Sequence, residues 1–242
     1  MNNYVYLYGH HAATHALLNK DRVIKEIFIT KNAHKKIAEN NNIDINKFNT
    51  KIVESKVING MLNSHQVHQG ILVVSEKKKI ITINDYDFSN SKRVIFLDNV
   101  IDPRNVGAII RTCTAFNCKT IITTNKFDQL DEGIIAKASS GGLEYTDIIT
   151  SNNLSNCLNE LKKNKFWIIG FDSEAVSNIE DSVFNLQDQI VLIFGEEGKG
   201  MRNLTKKLCD VTYRINTIGE IKSLNVSVAI GIILDKITPN FG

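Results

Sequence analysis

From Val94 onward, short apolar runs alternate with amphipathic ones: VIFLD, VGAIIRTCTAF, TIIT, LSNCLNELKKN, FWIIGF, IVLIFG, VTYRI and finally SLNVSVAIGIILDKI. Strand candidates separated by helix-length segments call for parallel pairing, because a parallel connection needs a crossover and an antiparallel one only a turn. The alternation therefore predicts an α/β domain whose parallel sheet is covered by helices on both faces. In open sheets of this kind, ligands gather beyond the carboxyl ends of the strands, where loops and helix N-termini present polar groups.

The chain ahead of Val94 reads differently. In the first 75 residues, VIKEIFIT (Val23 to Thr30) and GILVVS (Gly70 to Ser75) have strand-like β-branched character, with helical stretches between and before them. That is too little for an enzyme and enough for a small α/β binding module. KKKIITINDYDFSNSK, Lys77 to Lys92, lacks sustained apolar periodicity and marks a linker. The expected organisation is a binding domain at 1–76, a linker at 77–92 and a larger domain at 93–242. A length of 242 residues accommodates two modest domains.

Composition excludes several classes. With 43% hydrophobic and 23% charged residues the chain is of ordinary globular type, and no apolar run reaches the roughly 20 residues of a membrane span. MNNYVYLYGH lacks the features of a secretory signal, so a cytoplasmic location is expected. A net charge of +3 is compatible with a polyanionic partner but does not select one. Cys113, Cys118, Cys157 and Cys209 include no C-x-x-C pair, and all six histidines lie at or before His68, so the cysteines are expected to be reduced structural thiols. In HHAATH, His11 and His15 fall one helical turn apart but lack a third ligand, and no metal is expected. With Lys31, Lys35 and Lys36 they suit an RNA-facing or simply solvated surface.

Three stretches place polar or glycine residues just after a strand candidate. In DNVIDPRNVGAIIRT (Asp98 to Thr112), Asp102 and Pro103 make a turn, Asn105 is suited to cap a helix, and Gly107 permits a close approach. Asn105 and Arg111 are about 1.7 helical turns apart, so both face one end of the sheet only if Asn105 lies in the preceding loop. An Asn-capped helix carrying one arginine is the plain alternative. IVLIFGEEGKGM (Ile190 to Met201) carries Gly195, Gly198 and Gly200 after a strand, in the order G-x-x-G-x-G and without the Gly-Lys-Ser/Thr of a phosphate loop. Glu196 and Glu197 repel phosphate and suit a ligand with positive charge or donor groups, such as S-adenosylmethionine; the alternative is an exposed turn with solvated glutamates. In INTIGEIKSLNVSVAIGIILDKI (Ile215 to Ile237), Ser223 or Asn225 can start a helix that is apolar on nearly every side and expected to be deeply buried. Taken alone, that stretch is a cap motif.

Together, N-x-G-x-x-x-R at Asn105 to Arg111, G-x-E-G-x-G at Gly195 to Gly200 and S-L-N-V-S at Ser223 to Ser227 resemble the three signature motifs of the SpoU family, also called TrmH, of RNA 2′-O-methyltransferases. YGHHA at Tyr8 to Ala12 and HQG at His68 to Gly70 resemble the substrate-binding domain of many members, similar in fold to ribosomal protein L30e. The likeness spans nearly the whole chain and is nearest to the bacterial branch acting on a guanosine of 23S ribosomal RNA. It implies a SPOUT-like domain with a deep C-terminal trefoil knot, a homodimer with sites at its interface, and S-adenosylmethionine held by loop backbone, here at Gly195, Gly198, Ile215 and Leu224. Asn105, Arg111, Glu197, Ser223 and Asn225 would form the catalytic set. Family members usually carry Ile-Pro where this chain has Ile215-Asn216, which leaves that loop less rigid.

The resemblance implies that Arg111 acts as general base. An arginine with a reference pKa of about 12.5 to 13.8 is costly to neutralise at pH 7, by roughly 8 to 9 kcal/mol, so gripping RNA backbone and stabilising developing alkoxide charge is an equally physical role. A transfer-RNA target, another ribosomal target and a non-catalytic RNA-binding or ribosome-assembly protein are the rival readings. A dinucleotide-binding oxidoreductase is disfavoured, since G-x-G-x-x-G is missing.

Overall fold

The computed structural model describes residues 4–40, 43–62, 66–181 and 189–238. The chain divides into two compact units, one formed by residues 1–79 with 131–145 and the other by 80–130 with 146–242. Among the described residues no helix is long and apolar enough to cross a membrane.

The first unit is built on strands β1 (Tyr4–Tyr8), β2 (Ile24–Ile29), β3 (Thr50–Ile52) and β4 (Ile71–Glu76) in the order β1-β4-β2-β3. β4 runs antiparallel to both β1 and β2, and β3 runs parallel to β2. Helices α1 (His10–Leu18), α2 (Lys31–Asn40) and α3 (Ser55–Met61) complete the N-terminal segment. β-branched runs mark β2 and β4 in the sequence but not β1, whose YVYLY alternates aromatic and aliphatic residues directly ahead of α1. Leu7, Ile27, Ile29, Ile71, Leu72 and Val73 are fully buried and form the sheet's share of the core.

Asp131–Tyr145 belongs to this first unit although the alternation pattern assigned it to the larger domain. Two features tie it there. The helix that opens it packs on β1 so closely that a Cβ on Gly133 would come within 2.3 Å of the Tyr6 carbonyl oxygen. In addition, the buried Arg22 guanidinium donates to Glu132 at 2.7 Å and to Glu144 at 2.6 Å. Glu132 also accepts from the backbone N–H of Lys78, and Glu144 from Asn19. A buried charge left without its partner typically costs about 3 to 5 kcal/mol, so this cluster holds the segment firmly.

The second unit contains β5 (Ile81–Thr82), β6 (Arg93–Asp98), β7 (Thr120–Thr124), β8 (Asp147–Ser151), β9 (Trp167–Phe171), β10 (Ser177–Asn178), β11 (Ile190–Gly195) and β12 (Val211–Arg214). They form one sheet in the order β10-β12-β9-β11-β6-β7-β8-β5, and every pairing is parallel. The segment read as a linker contributes β5, which pairs with β8, so the second unit begins at Ile80. Val94 to Leu97 and Val191 to Phe194 are buried at consecutive positions, which requires cover on both faces of the central strands. The helices are α4 (Pro103–Ala115), α6 (Leu154–Lys163), α7 (Asn203–Leu208) and α8 (Val226–Ile237), with α5 (Glu132–Ala138) lying in the first unit's segment.

The helix α8 departs from the expected deep burial. Val226, Ile230, Ile233 and Leu234 are buried, but Val228 is 50% and Ile232 38% exposed. The helix packs on α4 along one face only, with Gly231 beside Thr112. All four cysteines are free thiols. Burial pushes Cys157 up to about 12 and, with help from Asp210, Cys209 up to about 11, so neither is a ready thiolate at neutral pH.

Candidate active site

β6 and β11 are neighbours in register, with Gly195 opposite Asp98, so the first two motifs leave the sheet side by side at its carboxyl edge. After β6 the chain turns through Asn99, which adopts φ 65°, and enters α4. Asp102, not Asn105, caps that helix: its Oδ1 accepts from the N–H groups of Arg104 at 2.7 Å and Asn105 at 3.0 Å. Pro103 takes the first helical position, where its missing N–H costs nothing, and this leaves Asn105 inside the first turn. The Asn105 side chain is thereby freed for tertiary contacts.

Its contacts are with the other two motifs. Asn105 Nδ2 donates to Glu197 Oε2 at 3.0 Å, and Asn225 Nδ2 donates to Asn105 Oδ1 at 3.0 Å and to the same Glu197 oxygen at 3.3 Å. Asn225 is also the N-cap of α8, its Oδ1 accepting from Ser227 N–H at 2.9 Å and Ser227 Oγ at 2.6 Å. Both amides are thus fixed in orientation by what they donate to and accept from. Glu197 lies in an exposed turn, but both amides hold its carboxylate, so the turn of the second motif is tied to the other two.

The glycine loop folds back on the end of β11. A Cβ on Gly195 would lie 2.0 Å from the Gly200 carbonyl carbon, so main chain meets main chain with no room for a side chain. Gly198 and Gly200 take φ 85° and 68°, which suits glycine. Beside this loop is a pocket walled by Gly195, Glu196, Glu197, Gly198 and Gly200, by Ile215 and Thr217 after β12, and by Ser223 and Leu224 before α8. Phe171 and Phe194, stacked at 4.8 Å and 10°, also line it, as do Asp172 and the cationic Lys222.

Arg111 stands apart. It is exposed on α4, and among the described residues it joins neither the Asn105–Glu197–Asn225 network nor the pocket wall. Ser223 is exposed and Asn216 lies on the exposed stretch after β12. Among the described residues no group of three or more His, Cys, Asp or Glu side chains could hold a metal ion.

Sequence reasoning missed the support beneath the site. Asp98, 1% exposed at the end of β6, accepts from the Arg202 backbone N–H at 2.9 Å, the Arg202 Nε at 2.6 Å and the Thr205 hydroxyl at 2.5 Å. This pins the segment after the glycine loop to the end of β6. Asn99 Nδ2 donates to Glu196 Oε2 at 2.9 Å. An aspartate ending the run VIFL signals a buried carboxylate in need of donors, but not where they come from.

Comparison with known proteins agrees with this geometry. Residues 92–235 match the SpoU rRNA Methylase family model, and residues 6–80 match a model for RNA 2′-O ribose methyltransferase substrate binding. A 23S rRNA (guanosine-2′-O-)-methyltransferase of Haemophilus ducreyi is 31% identical over 247 residues, covering 96% of each chain. An uncharacterised tRNA/rRNA methyltransferase of Borreliella burgdorferi is 33% identical over 83% of this chain and 90% of its own. In fold, the SpoU methyltransferase AviRb of Streptomyces viridochromogenes, solved in complex with AdoMet, superposes with a TM-score of 0.79 at 16% identity, over 98% of this chain and 89% of its own. With its three motifs joined at one sheet edge and both family models matched in order, the chain belongs to the SpoU rRNA methylase family.

Proposed function

We propose that this protein methylates a ribose 2′-hydroxyl of RNA with S-adenosylmethionine as donor, and that its target is a guanosine of 23S ribosomal RNA. The observation that carries the reading is the meeting of Asn105, Glu197 and Asn225, from three separate motifs, beside a pocket lined by the glycine loop and by the stretch between β12 and α8. The pocket fits the donor. Glu197, which has no cationic partner among the described residues, suits a ligand carrying ammonium and sulfonium charge, while Asp172 and Glu196 are already paired with Lys206 and Lys199; the absence of a side chain at Gly195 leaves main chain at the wall. Gly195, Gly198, Ile215 and Leu224 would hold it.

When bound, S-adenosylmethionine supplies a methyl carbon already activated for attack, so the protein's task is mainly to align the ribose oxygen. Asn105 and Asn225 fix Glu197 and, with Ser223, face the hydroxyl to be methylated. Arg111 grips an RNA phosphate and stabilises charge on the attacking oxygen, the proton leaving to phosphate or water. That arginine lies outside its own network, and α8 leaves Val228 and Ile232 exposed. Both features support a homodimer in which the site is completed across the interface. Two features support a trefoil knot: β11 is inserted between β9 and β6, and a strand-free run lines the pocket between β12 and α8. The match over residues 6–80 supports an L30e-like RNA-binding unit, and a cytoplasmic location follows from a ribosomal substrate.

Incubation with methyl-labelled S-adenosylmethionine and 23S ribosomal RNA lacking its native modifications, followed by mass spectrometry, should place the label on a guanosine ribose. A methyl on a base would overturn the reading. Arg111→Ala should abolish transfer while calorimetric S-adenosylmethionine affinity stays within about twofold, since one electrostatic contact to a transition state is worth on the order of 100-fold or more.

A further inference from the structure

On the other side of β6 from the acidic pocket, beyond the carboxyl ends of β6, β7 and β8, lies a second groove. It consists of two depressions that share Asn152, Leu154 and Arg202 and so form one channel. No Asp or Glu is among its described lining residues, whereas three line the pocket on the β11 side. Asp98, at the end of β6, is buried and already occupied by Arg202 and Thr205.

The charge at the groove is cationic. Lys126 is exposed, and its Nζ donates to the neutral side-chain oxygen of Asn99 at 2.9 Å; among the described residues it has no carboxylate partner. An ammonium has three donors, so the remaining ones face solvent and can meet a phosphate. Asn125 and Asn152, both exposed, add amides that each offer a donor and an acceptor. Ammonium for backbone and amides for base edges is the combination that unpaired RNA uses, since the bases of an A-form duplex are closed to side chains in its deep groove.

We propose that this groove binds the single-stranded RNA flanking the ribose to be methylated, with Lys126 on a backbone phosphate and Asn125 and Asn152 on base edges. The proposal rests on the methyl-transfer reading. It also gives Asn99 a part as a positioning residue, because its amide holds Lys126 on one side and Glu196 of the glycine loop on the other. Lys126→Ala and Asn152→Glu alter exposed side chains outside the network of the three motifs, so the fold should survive both.

The test is binding of an unmodified 23S ribosomal RNA transcript across a salt titration, with S-adenosylmethionine affinity by calorimetry as the measure of an intact second unit. Lys126→Ala should weaken RNA binding roughly three- to tenfold and lower the slope of log affinity against log salt by about 0.7, as expected for one lost phosphate contact to single-stranded RNA. Asn152→Glu, which brings a carboxylate to the groove, should weaken it further. S-adenosylmethionine affinity should not change. If both variants bind the cofactor normally and match the parent in RNA affinity and salt slope, the groove does not carry RNA. If the parent itself neither binds the transcript nor methylates it, the methyl-transfer reading fails first; a parent that does both beside indifferent variants rejects the groove alone.

Discussion

The carboxyl edge of the large sheet carries opposite chemistry on the two sides of β6. Toward β11 it presents Asp172, Glu196 and Glu197 around a glycine loop, with Lys222 as the one cation in the pocket wall among the described residues; toward β7 and β8 it presents Asn125, Lys126 and Asn152, with no carboxylate among the described lining residues. Asn99 stands at the boundary, donating to Glu196 and accepting from Lys126. An amide is suited to that place because one end donates and the other accepts, so it can face an anion and a cation at once. A sheet edge divided in this way can bind a cationic ligand and a polyanion at neighbouring places.

The division should break most completely at Gly195. In Gly195→Ala, the new Cβ would overlap the Gly200 carbonyl, forcing the glycine loop off the end of β11. Loss of measurable S-adenosylmethionine binding in calorimetry is expected, with RNA binding largely retained; normal cofactor affinity would show that the loop does not form the pocket. The next largest effect is on stability. Asp98→Ala removes the acceptor for Arg202 and Thr205 beneath both halves, and a loss of about 3 kcal/mol in denaturant unfolding is expected, at the low end for a buried ion pair because Arg202 is half-exposed. A loss under about 1 kcal/mol would mean the carboxylate is a bystander.

The smallest effect should leave both halves untouched. His10, His15 and His68 all lie in the first unit, and burial, first among the causes, holds each below the ordinary value of 6.5. The unfolded chain then takes up protons before the folded one as pH falls through 6.5, so first-unit stability should drop from there until the lowered folded values are passed. Hydrogen-exchange protection factors, corrected for the intrinsic pH dependence of exchange, should fall from about pH 7.5 to about pH 5.5 in β1 and β4 and change little in β6 and β11. Equal change in both sheets would assign the acid sensitivity elsewhere.

Much of this was visible in the chain because burial on both faces leaves a local mark. VIFLD, TIIT, FWIIGF and IVLIFG are strands because their residues are apolar at successive positions, and the helix-length spacing between them made the pairing parallel. The capping of α4 is legible too, since Pro at the first helical position puts the cap at Asp102, although Asn105 is also a residue suited to capping. Three things had no local mark: the burial of only one side of α8, the pairing of β5 with β8, and the attachment of Asp131–Tyr145 to the first unit. The last depends on Arg22 meeting Glu132 and Glu144 across 110 and 122 residues. A charged residue carries no sign of which distant partner will accompany it inside.

The sequence by itself therefore determined the central strands and the parallel sheet of the second unit and the three motifs that mark the family, because each depends on patterning within a few residues. Tertiary structure alone decided that Asn105, Glu197 and Asn225 share hydrogen bonds, that Asp98 anchors the segment after the glycine loop, and that Arg111 stays outside its own network. Those outcomes follow from which strand ends lie side by side, and β11 reaches β6 only after the chain has passed β7, β8, β9 and β10.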